Sequence, residues 1–227
     1  MIGGTYYRTR LSGNRLRRCY DLAPPRVRQY LEAEIAHVLH RTERARSILE
    51  LGCGYGRVLE RLERPGRRVV GIDTSLESLL SVRDRVSDRS RCDVSAMDAA
   101  ALAFRPCAFD AVICIQNGVC AFRADALTLL REALRVARPG GRVLLSTYAA
   151  AFWPHRLRWF RLQGAEGLVG DIDETATRLG EIVCTDGFRS GTLSADDFTR
   201  LCSRLGVEPR IVEVDGSSLF CEVGVRG

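Results

Sequence analysis

A short apolar stretch that runs directly into a glycine-rich turn constrains the fold of this chain most strongly. Residues 47–51 (Ser-Ile-Leu-Glu-Leu) have the pattern of a buried strand, three glycines alternate with other residues over 52–56, and residues 57–63 have helical spacing. Glycine permits a sharp turn and lets a ligand approach where a Cβ would collide. The unpaired N–H groups of a helix start suit a carboxylate or a phosphate. The segment therefore predicts a nucleotide-like ligand, but it does not identify a reaction.

The alternation of strand and helix patterns continues along the chain. Further strands are predicted at 68–72, 91–94, 109–115 and 142–146, and helices at 76–86 and 124–137. Strands that alternate with helices are joined by right-handed crossovers and form a mainly parallel sheet with helices on both faces. This alternation of strands and helices predicts the α/β fold class.

The two ends of the chain do not show this alternation of strands and helices. Residues 1–25 are interpreted as an arm, followed by a helix over 26–41, and residues 149–170 as a helical insertion over the carboxyl edge of the sheet. Three further features are predicted towards the end: a hairpin at Asp186-Gly187, a helix from Ser194 to Leu205 with Asp197 in capping-box position, and an antiparallel pair formed by 210–214 and 219–223.

A chain of 227 residues is long enough for one well-packed α/β domain and short for two. We therefore predict a single domain over 1–227. It comprises an N-terminal arm and helix (1–46), a ligand-binding core (47–147), a lid-like insertion (148–180), and C-terminal strands and helix (181–227).

Charge and cysteine content restrict the partners of the chain. The net charge is +6, but the arginines are interleaved with acidic residues, which favours a solvated surface over nucleic-acid binding. The nine cysteines form no C-x-x-C pair, so we expect free thiols in a reducing cytoplasm and no metal site. The apolar runs are too short for a membrane span. The oligomeric state is not predicted.

Two acidic residues narrow the identity of the ligand. Asp73 ends the second predicted strand about 20 residues beyond the glycines, where a carboxylate can accept hydrogen bonds from ribose hydroxyls. Asp98 follows the third strand, where it can accept a hydrogen bond from an adenine amino group. Three strand ends are therefore predicted to face one ligand.

Taken together, these segments resemble the class I S-adenosylmethionine-dependent methyltransferase family over about residues 47–147. The glycine turn resembles its first motif, residues 109–117 its fourth strand, and the Arg-Pro-Gly-Gly-Arg turn at 138–142 the turn before its fifth strand. The resemblance implies a Rossmann-like methyltransferase fold, a mainly parallel seven-stranded sheet with an antiparallel C-terminal strand. It also implies S-adenosyl-L-methionine as cofactor and S-adenosyl-L-homocysteine as product.

The resemblance also assigns the cofactor site. Glu50 occupies the place of the acidic residue that faces the methionine amine, and Asp73 and Asp98 the places of the ribose and adenine residues. The cofactor-binding residues implied are Glu50, Gly52, Cys53, Gly54, Tyr55, Gly56, Asp73, Thr74, Met97, Asp98, Ala99, Ile115, Gln116 and Asn117.

Two other interpretations of the glycine turn remain open. An NAD-type dehydrogenase fingerprint, G-x-G-x-x-G, requires glycine at position 57, where this chain has Arg57. The turn can also be purely structural, with Asp73 and Asp98 capping helices.

The acceptor site is expected over the carboxyl ends of the strands. Methyl transfer is an in-line displacement that depends on positioning, and it needs a general base only if the nucleophile arrives protonated. His155 is the candidate base, although a lone histidine between two tryptophans is more often packed or exposed. The substrate-binding candidates, which can equally be core residues, are Tyr6, Tyr7, Tyr20, Asn117, Trp153 and Trp159.

The sequence thus predicts a methyltransferase that acts on an oxygen, nitrogen or sulfur atom of a small molecule, with the arm and insertion as a lid. Methylation of RNA or protein is the first alternative, although no stripe of arginine and aromatic residues supports it. A nucleotide-binding module or scaffold subunit without catalysis is the second.

Overall fold

The computed structural model describes residues 3–83, 92–122 and 125–226. Strands in these residues form a large sheet and a small hairpin, and the parallel strands at the centre of the large sheet are almost entirely apolar because both of their faces are covered. The strands are β1 (Ser47–Leu51), β2 (Arg68–Asp73), β3 (Cys92–Ala96), β4 (Phe109–Cys114), β5 (Ala137–Tyr148), β6 (Ile182–Val183), β7 (Arg189–Ser190), β8 (Pro209–Val214) and β9 (Ser218–Gly224).

The large sheet has seven strands in the order β3-β2-β1-β4-β5-β9-β8. The first five are parallel to one another, and β9 is antiparallel to both of its neighbours. This confirms the predicted mainly parallel, seven-stranded sheet with an antiparallel strand near the C-terminus. The strand order reverses between β1 and β4, and the carboxyl ends of these two strands open a crevice there.

Helices pack on both faces of this sheet and over its carboxyl edge. They are α1 (Gly3–Thr9), α2 (Gly13–Asp21), α3 (Pro25–Arg41), α4 (Leu59–Leu62), α5 (Leu76–Arg83), α6 (Ala126–Val136), α7 (Trp153–Ala165) and α8 (Ala195–Arg204). Helix α4 is shorter than the predicted 57–63. The predicted boundaries at residues 84–86, 91 and 124 lie outside the described residues.

The first 25 residues were predicted as an arm, and the structure folds them into α1 and α2. These helices are fixed to α5: the Ser12 hydroxyl donates to Glu77 at 2.6 Å, and the Gly13 N–H donates to the Ser78 hydroxyl at 3.0 Å. Helix α2 is short and has few apolar residues, so these tertiary contacts are expected to contribute to its stability.

The insertion contains α7, as the sequence predicts, and the hairpin pairs β6 with β7. The Tyr6 hydroxyl donates to Asp186 in the turn of this hairpin, so α1 is tied to the end of the insertion. Arg15 of α2 also donates to the carbonyl of Gly167 at 2.7 Å, just beyond α7. The N-terminal helices and the insertion therefore pack together over the crevice.

No helix in the described part of the chain is both long and apolar enough to cross a lipid bilayer. All nine cysteines lie in described residues, and no disulfide bond joins any two of them.

Replacing Ser194 by alanine is expected to lower the free energy of unfolding by about 1 kcal/mol. The Ser194 hydroxyl accepts a hydrogen bond from the Asp197 N–H, and the Asp197 carboxylate accepts one from the Ser194 N–H, which completes the predicted capping box of α8. Urea unfolding measures the difference. Ser203→Ala, at an exposed position within α8, is the matched control. Equal stability of the two variants would contradict the role of the cap.

Candidate functional site

A cavity of about 390 Å³ lies at the carboxyl ends of β1, β2 and β4, beneath α1 and α2. Residues from all three strand ends and from both N-terminal helices line it. Of the residues predicted from the sequence, those that line this cavity are Tyr7, Tyr20, Glu50, Gly52, Cys53, Gly54, Tyr55, Asp73, Thr74, Asp98, Ile115 and Gln116.

The glycine turn and the end of β2 hold each other in place. Gly54 has a positive φ of 52°, and its N–H donates to Asp73 Oδ2 at 2.9 Å. Asp73 Oδ1 accepts the Ser75 N–H at 2.8 Å. Burial raises the pKa of the Asp73 carboxyl, while these backbone donors act in the opposite direction. A carboxylate oxygen has two lone pairs, so Asp73 can still accept hydrogen bonds from a ligand.

Glu50 is the buried acid of the cavity. Its side chain projects from β1 and is only 4% exposed. One carboxylate oxygen, Oε2, is buried without a hydrogen-bond partner among the described residues. Burial raises the pKa of Glu50 to about 8, and the positive charge of Arg57 acts against this shift. A buried carboxyl group with an unused acceptor marks a position for a ligand that donates hydrogen bonds.

Arg57 is a site residue that the sequence interpretation missed, because it considered this position only as the missing glycine of a dinucleotide fingerprint. It lines the cavity, and its Nε and Nη2 are buried without hydrogen-bond partners in the described residues. The guanidinium lies 5.2 Å from the centre of the Tyr20 ring. The cavity therefore holds one buried acid, Glu50, and one partly buried cation, Arg57, each with unused hydrogen-bonding capacity. An arginine directly after a glycine turn was the available signal.

The chain after β4 adopts an unusual backbone conformation. Gln116 and Asn117 are consecutive non-glycine residues with positive φ, 58° and 61°. The Gln116 N–H donates to the Ser146 hydroxyl at 2.9 Å, and that hydroxyl donates to the buried Glu34 carboxyl at 2.7 Å. Burial raises the pKa of Glu34 to about 7. Left-handed residues persist where surrounding contacts hold them, and they concentrate at functional sites.

Four predicted cofactor residues do not line the cavity. Asn117 uses its amide in two structural bonds, accepting from Thr147 at 2.7 Å and donating to the Gly191 carbonyl at 3.0 Å. Gly56 lies against Val82, where an added Cβ would approach to 3.0 Å. The Met97 sulfur accepts the Ala103 N–H at 3.4 Å, and Ala99 is buried in the core. These residues support the loops around the cavity.

The acceptor candidates divide into several groups. Tyr7 and Tyr20 line the cavity. Trp159 is buried, and its indole N–H donates to the Cys19 carbonyl at 2.9 Å, which anchors α2 on α7. Tyr6 packs on Phe188, with 4.9 Å between ring centres.

Two residues of α7 lie away from this cavity. Trp153 lines a second cavity. His155 is exposed on α7 and is not among the residues that line either cavity. The structure therefore gives His155 no position from which to act as a base in this crevice.

Comparison with known proteins agrees with this geometry. The family model described as "Methyltransferase domain" matches residues 48–141. The chain is 27% identical over 167 residues to methyltransferase GfsG of Streptomyces halstedii, a match that covers 71% of this chain and 52% of that protein. The chain therefore spans about half the length of this relative.

Two solved structures share the fold. The PH0226 protein from Pyrococcus horikoshii OT3 has a TM-score of 0.71 at 19% identity, with 98% of each chain covered. The glycopeptide N-methyltransferase MtfA complexed with S-adenosylmethionine has a TM-score of 0.62 at 20% identity, with 85% of this chain and 93% of that chain covered. The topology, the glycine turn with its acidic partners, and the match over residues 48–141 all make this chain similar to S-adenosylmethionine-dependent methyltransferases.

Proposed function

We propose that this protein transfers the methyl group of S-adenosylmethionine to a small molecule. The observation that carries the proposal is the cavity where Glu50, Asp73 and Asp98 meet the glycine turn. The glycopeptide N-methyltransferase MtfA shares this fold, and by its name it methylates a glycopeptide. This supports a small molecule as the methyl acceptor. The atom that accepts the methyl group is proposed to be an oxygen, nitrogen or sulfur.

The residues present fit this cofactor. Its methionine part carries an ammonium and a carboxylate. The cavity offers Oε2 of Glu50 and the Nε and Nη2 groups of Arg57, which have no hydrogen-bond partners among the described residues. Asp73 has free lone pairs for the ribose hydroxyls. Asp98 is exposed at the end of β3 and, although Oδ1 accepts the Ala100 N–H, it retains acceptor capacity for the adenine amino group.

The bound cofactor supplies a methyl group that the positively charged sulfur already activates. The residues of this chain are therefore expected to bind, orient and exclude water, which account for much of the rate in such displacements. Tyr7 of α1 and Tyr20 of α2 cover the cavity on the side away from the sheet. We propose that the arm, residues 1–25, and the insertion, residues 148–180, act together as the cover of the site.

The ionisable residues of the cavity suggest what kind of nucleophile is used. Among the described residues that line it there is no histidine, and the carboxylates Glu50, Asp73 and Asp98 are all assigned to the cofactor. We infer that the acceptor atom reaches the site unprotonated, or loses its proton to water, so that no dedicated base is required.

A labelled-methyl transfer screen across small acceptors and RNA tests this function, with calorimetry of S-adenosylmethionine and S-adenosylhomocysteine in parallel. We expect both ligands to bind and at least one small molecule to be methylated. Transfer to RNA alone would replace the small-molecule proposal. Binding without any transfer would favour a non-catalytic nucleotide-binding module.

A further inference from the structure

Arg156 is a buried cation that the proposed function does not use. It lies on α7, and only 1% of it is exposed. Its two terminal nitrogens donate to Ser190 and to the carbonyls of Gly180 and Gly191, at distances from 2.6 to 3.2 Å. These bonds fix the insertion to the segment after β7. All of the acceptors are neutral oxygens, so none of them balances the positive charge.

The remaining neighbours of Arg156 are neutral as well. The guanidinium lies 4.5 Å from the centre of the Tyr148 ring and 5.7 Å from that of Trp153. No ion pair within the described residues includes Arg156, and its Nε is buried without a hydrogen-bond partner. Burial lowers the pKa of Arg156, although a guanidinium remains charged. A buried charge is costly unless an opposite charge pairs with it, so this site lacks an anion.

Space for such an anion lies beside the guanidinium. A second cavity of about 330 Å³ is lined by Arg156, Tyr148, Trp153 and Leu179. The carboxylate on this lining is Glu213 of β8, which is exposed. The other walls combine the rings of Tyr148 and Trp153 with apolar side chains and the hydroxyl residues Thr192 and Ser194. The cavity therefore suits a flat apolar body that carries one negative group.

This cavity neighbours the proposed cofactor site. Trp159, one turn further along α7 than Arg156, packs against Tyr20 of the first cavity with 5.8 Å between ring centres. Arg156 itself lines the second cavity. Helix α7 therefore contacts the lining of both cavities.

We propose that the cavity lined by Arg156, Tyr148 and Trp153 binds an aromatic carboxylate, with its negative group beside the Arg156 guanidinium. Naming this carboxylate as the methyl acceptor rests on the proposed function. The binding site itself does not. A guanidinium N–H donates a strong, charge-assisted hydrogen bond to a carboxylate oxygen.

A matched pair of probes tests the charge requirement on the unmodified protein. The probes are 4-hydroxybenzoate and 4-hydroxybenzamide, which are similar in size and differ in charge, titrated by calorimetry into protein saturated with S-adenosylhomocysteine. We expect the carboxylate to bind at least 10-fold more tightly than the amide. Equal affinities, or no binding of either probe, would overturn the proposal.

Variants locate the site. Arg156→Gln is expected to remove the preference for the carboxylate, Arg156→Lys to keep part of it, and Trp153→Ala to weaken both probes. Arg158→Gln, at an exposed position of the same helix, is the matched control and should change nothing. A preference that survives in Arg156→Gln would overturn the proposal. If Arg156→Gln does not fold, the test is the affinity of Trp153→Ala for the two probes. Unchanged affinity in that variant would overturn the proposal.

The two proposals can fail separately. S-adenosylhomocysteine that binds while neither probe does contradicts the carboxylate site and leaves the methyltransferase proposal standing. A carboxylate that binds with the expected preference but is never methylated supports the site and removes its identification as the acceptor.

Discussion

Replacing Glu50 by glutamine is expected to weaken S-adenosylhomocysteine binding about 100-fold. Glu50 is the buried carboxyl that faces the cavity with an unpartnered oxygen, and we assign it to the ammonium of the ligand. Removing one partner of a buried ion pair costs about 3–5 kcal/mol, and the amide oxygen of glutamine retains part of this as a neutral hydrogen bond. A net loss of about 3 kcal/mol in binding free energy corresponds to an affinity about 100-fold lower. Calorimetry at pH 8.5 measures it.

The same substitution is expected to stabilise the ligand-free protein at high pH. Burial raises the pKa of Glu50 to about 8, so between the ordinary carboxyl value and pH 8 the folded chain binds a proton that the unfolded chain releases. The free energy of unfolding therefore falls as the pH rises through this window, by roughly 3–5 kcal/mol for a shift of this size. Glutamine does not titrate, so the free energy of unfolding of the variant does not fall for this reason.

Thermal unfolding of both proteins at pH 5.5 and pH 8.5 measures the difference. Glu34, whose pKa burial raises to about 7, contributes in the same direction in both proteins, so the comparison isolates Glu50. A parallel pH dependence in the two proteins, or unchanged ligand affinity, would show that Glu50 is not the buried acid of the ligand site.

Asp73→Ala is expected to lower the affinity for S-adenosylhomocysteine about 100-fold or more. The variant loses the proposed hydrogen bonds to the ribose, and bonds to a charged acceptor contribute about 1.5–3 kcal/mol each. It also loses the acceptor of the Gly54 N–H, which shapes the glycine turn. Both the missing ribose contacts and the altered glycine turn weaken binding of the same ligand. The fall in affinity is therefore expected to exceed that of losing a single hydrogen bond. Calorimetry measures the dissociation constant.

Asp93→Ala is the matched control, because Asp93 is exposed on the neighbouring strand β3 and forms a surface ion pair with exposed Arg68. Its affinity is expected to stay within about twofold of the unmodified protein, since surface ion pairs contribute little. Retained affinity in Asp73→Ala would argue against the ribose contact and would favour a purely structural role for this aspartate.

The sequence predicted the central part of the fold well, for physical reasons. Strands that are buried on both faces must be apolar, so β1, β2 and β4 were readable, and the glycine turn marked where the chain bends around a ligand. The capping box of α8 and the hairpin at Asp186 followed from local hydrogen-bonding chemistry.

Other features depend on contacts between distant segments and could not be predicted. Helix α2 is stabilised by α5 and by the segment after α7 more than by its own pattern. Asn117 looked like a ligand contact, but Thr147 and Gly191 occupy its amide. Arg156 resembled many other arginines of the chain, and its burial without an opposite charge becomes visible only in the folded structure.

The central claim is that one crevice binds the adenosyl cofactor, and a crystal structure of the protein with S-adenosylhomocysteine tests it most directly. We predict ribose density beside Asp73, adenine density near Asp98, and the amino-acid part between Glu50 and Arg57. Density for the nucleoside away from Gly54, Asp73 and Asp98 would contradict the account.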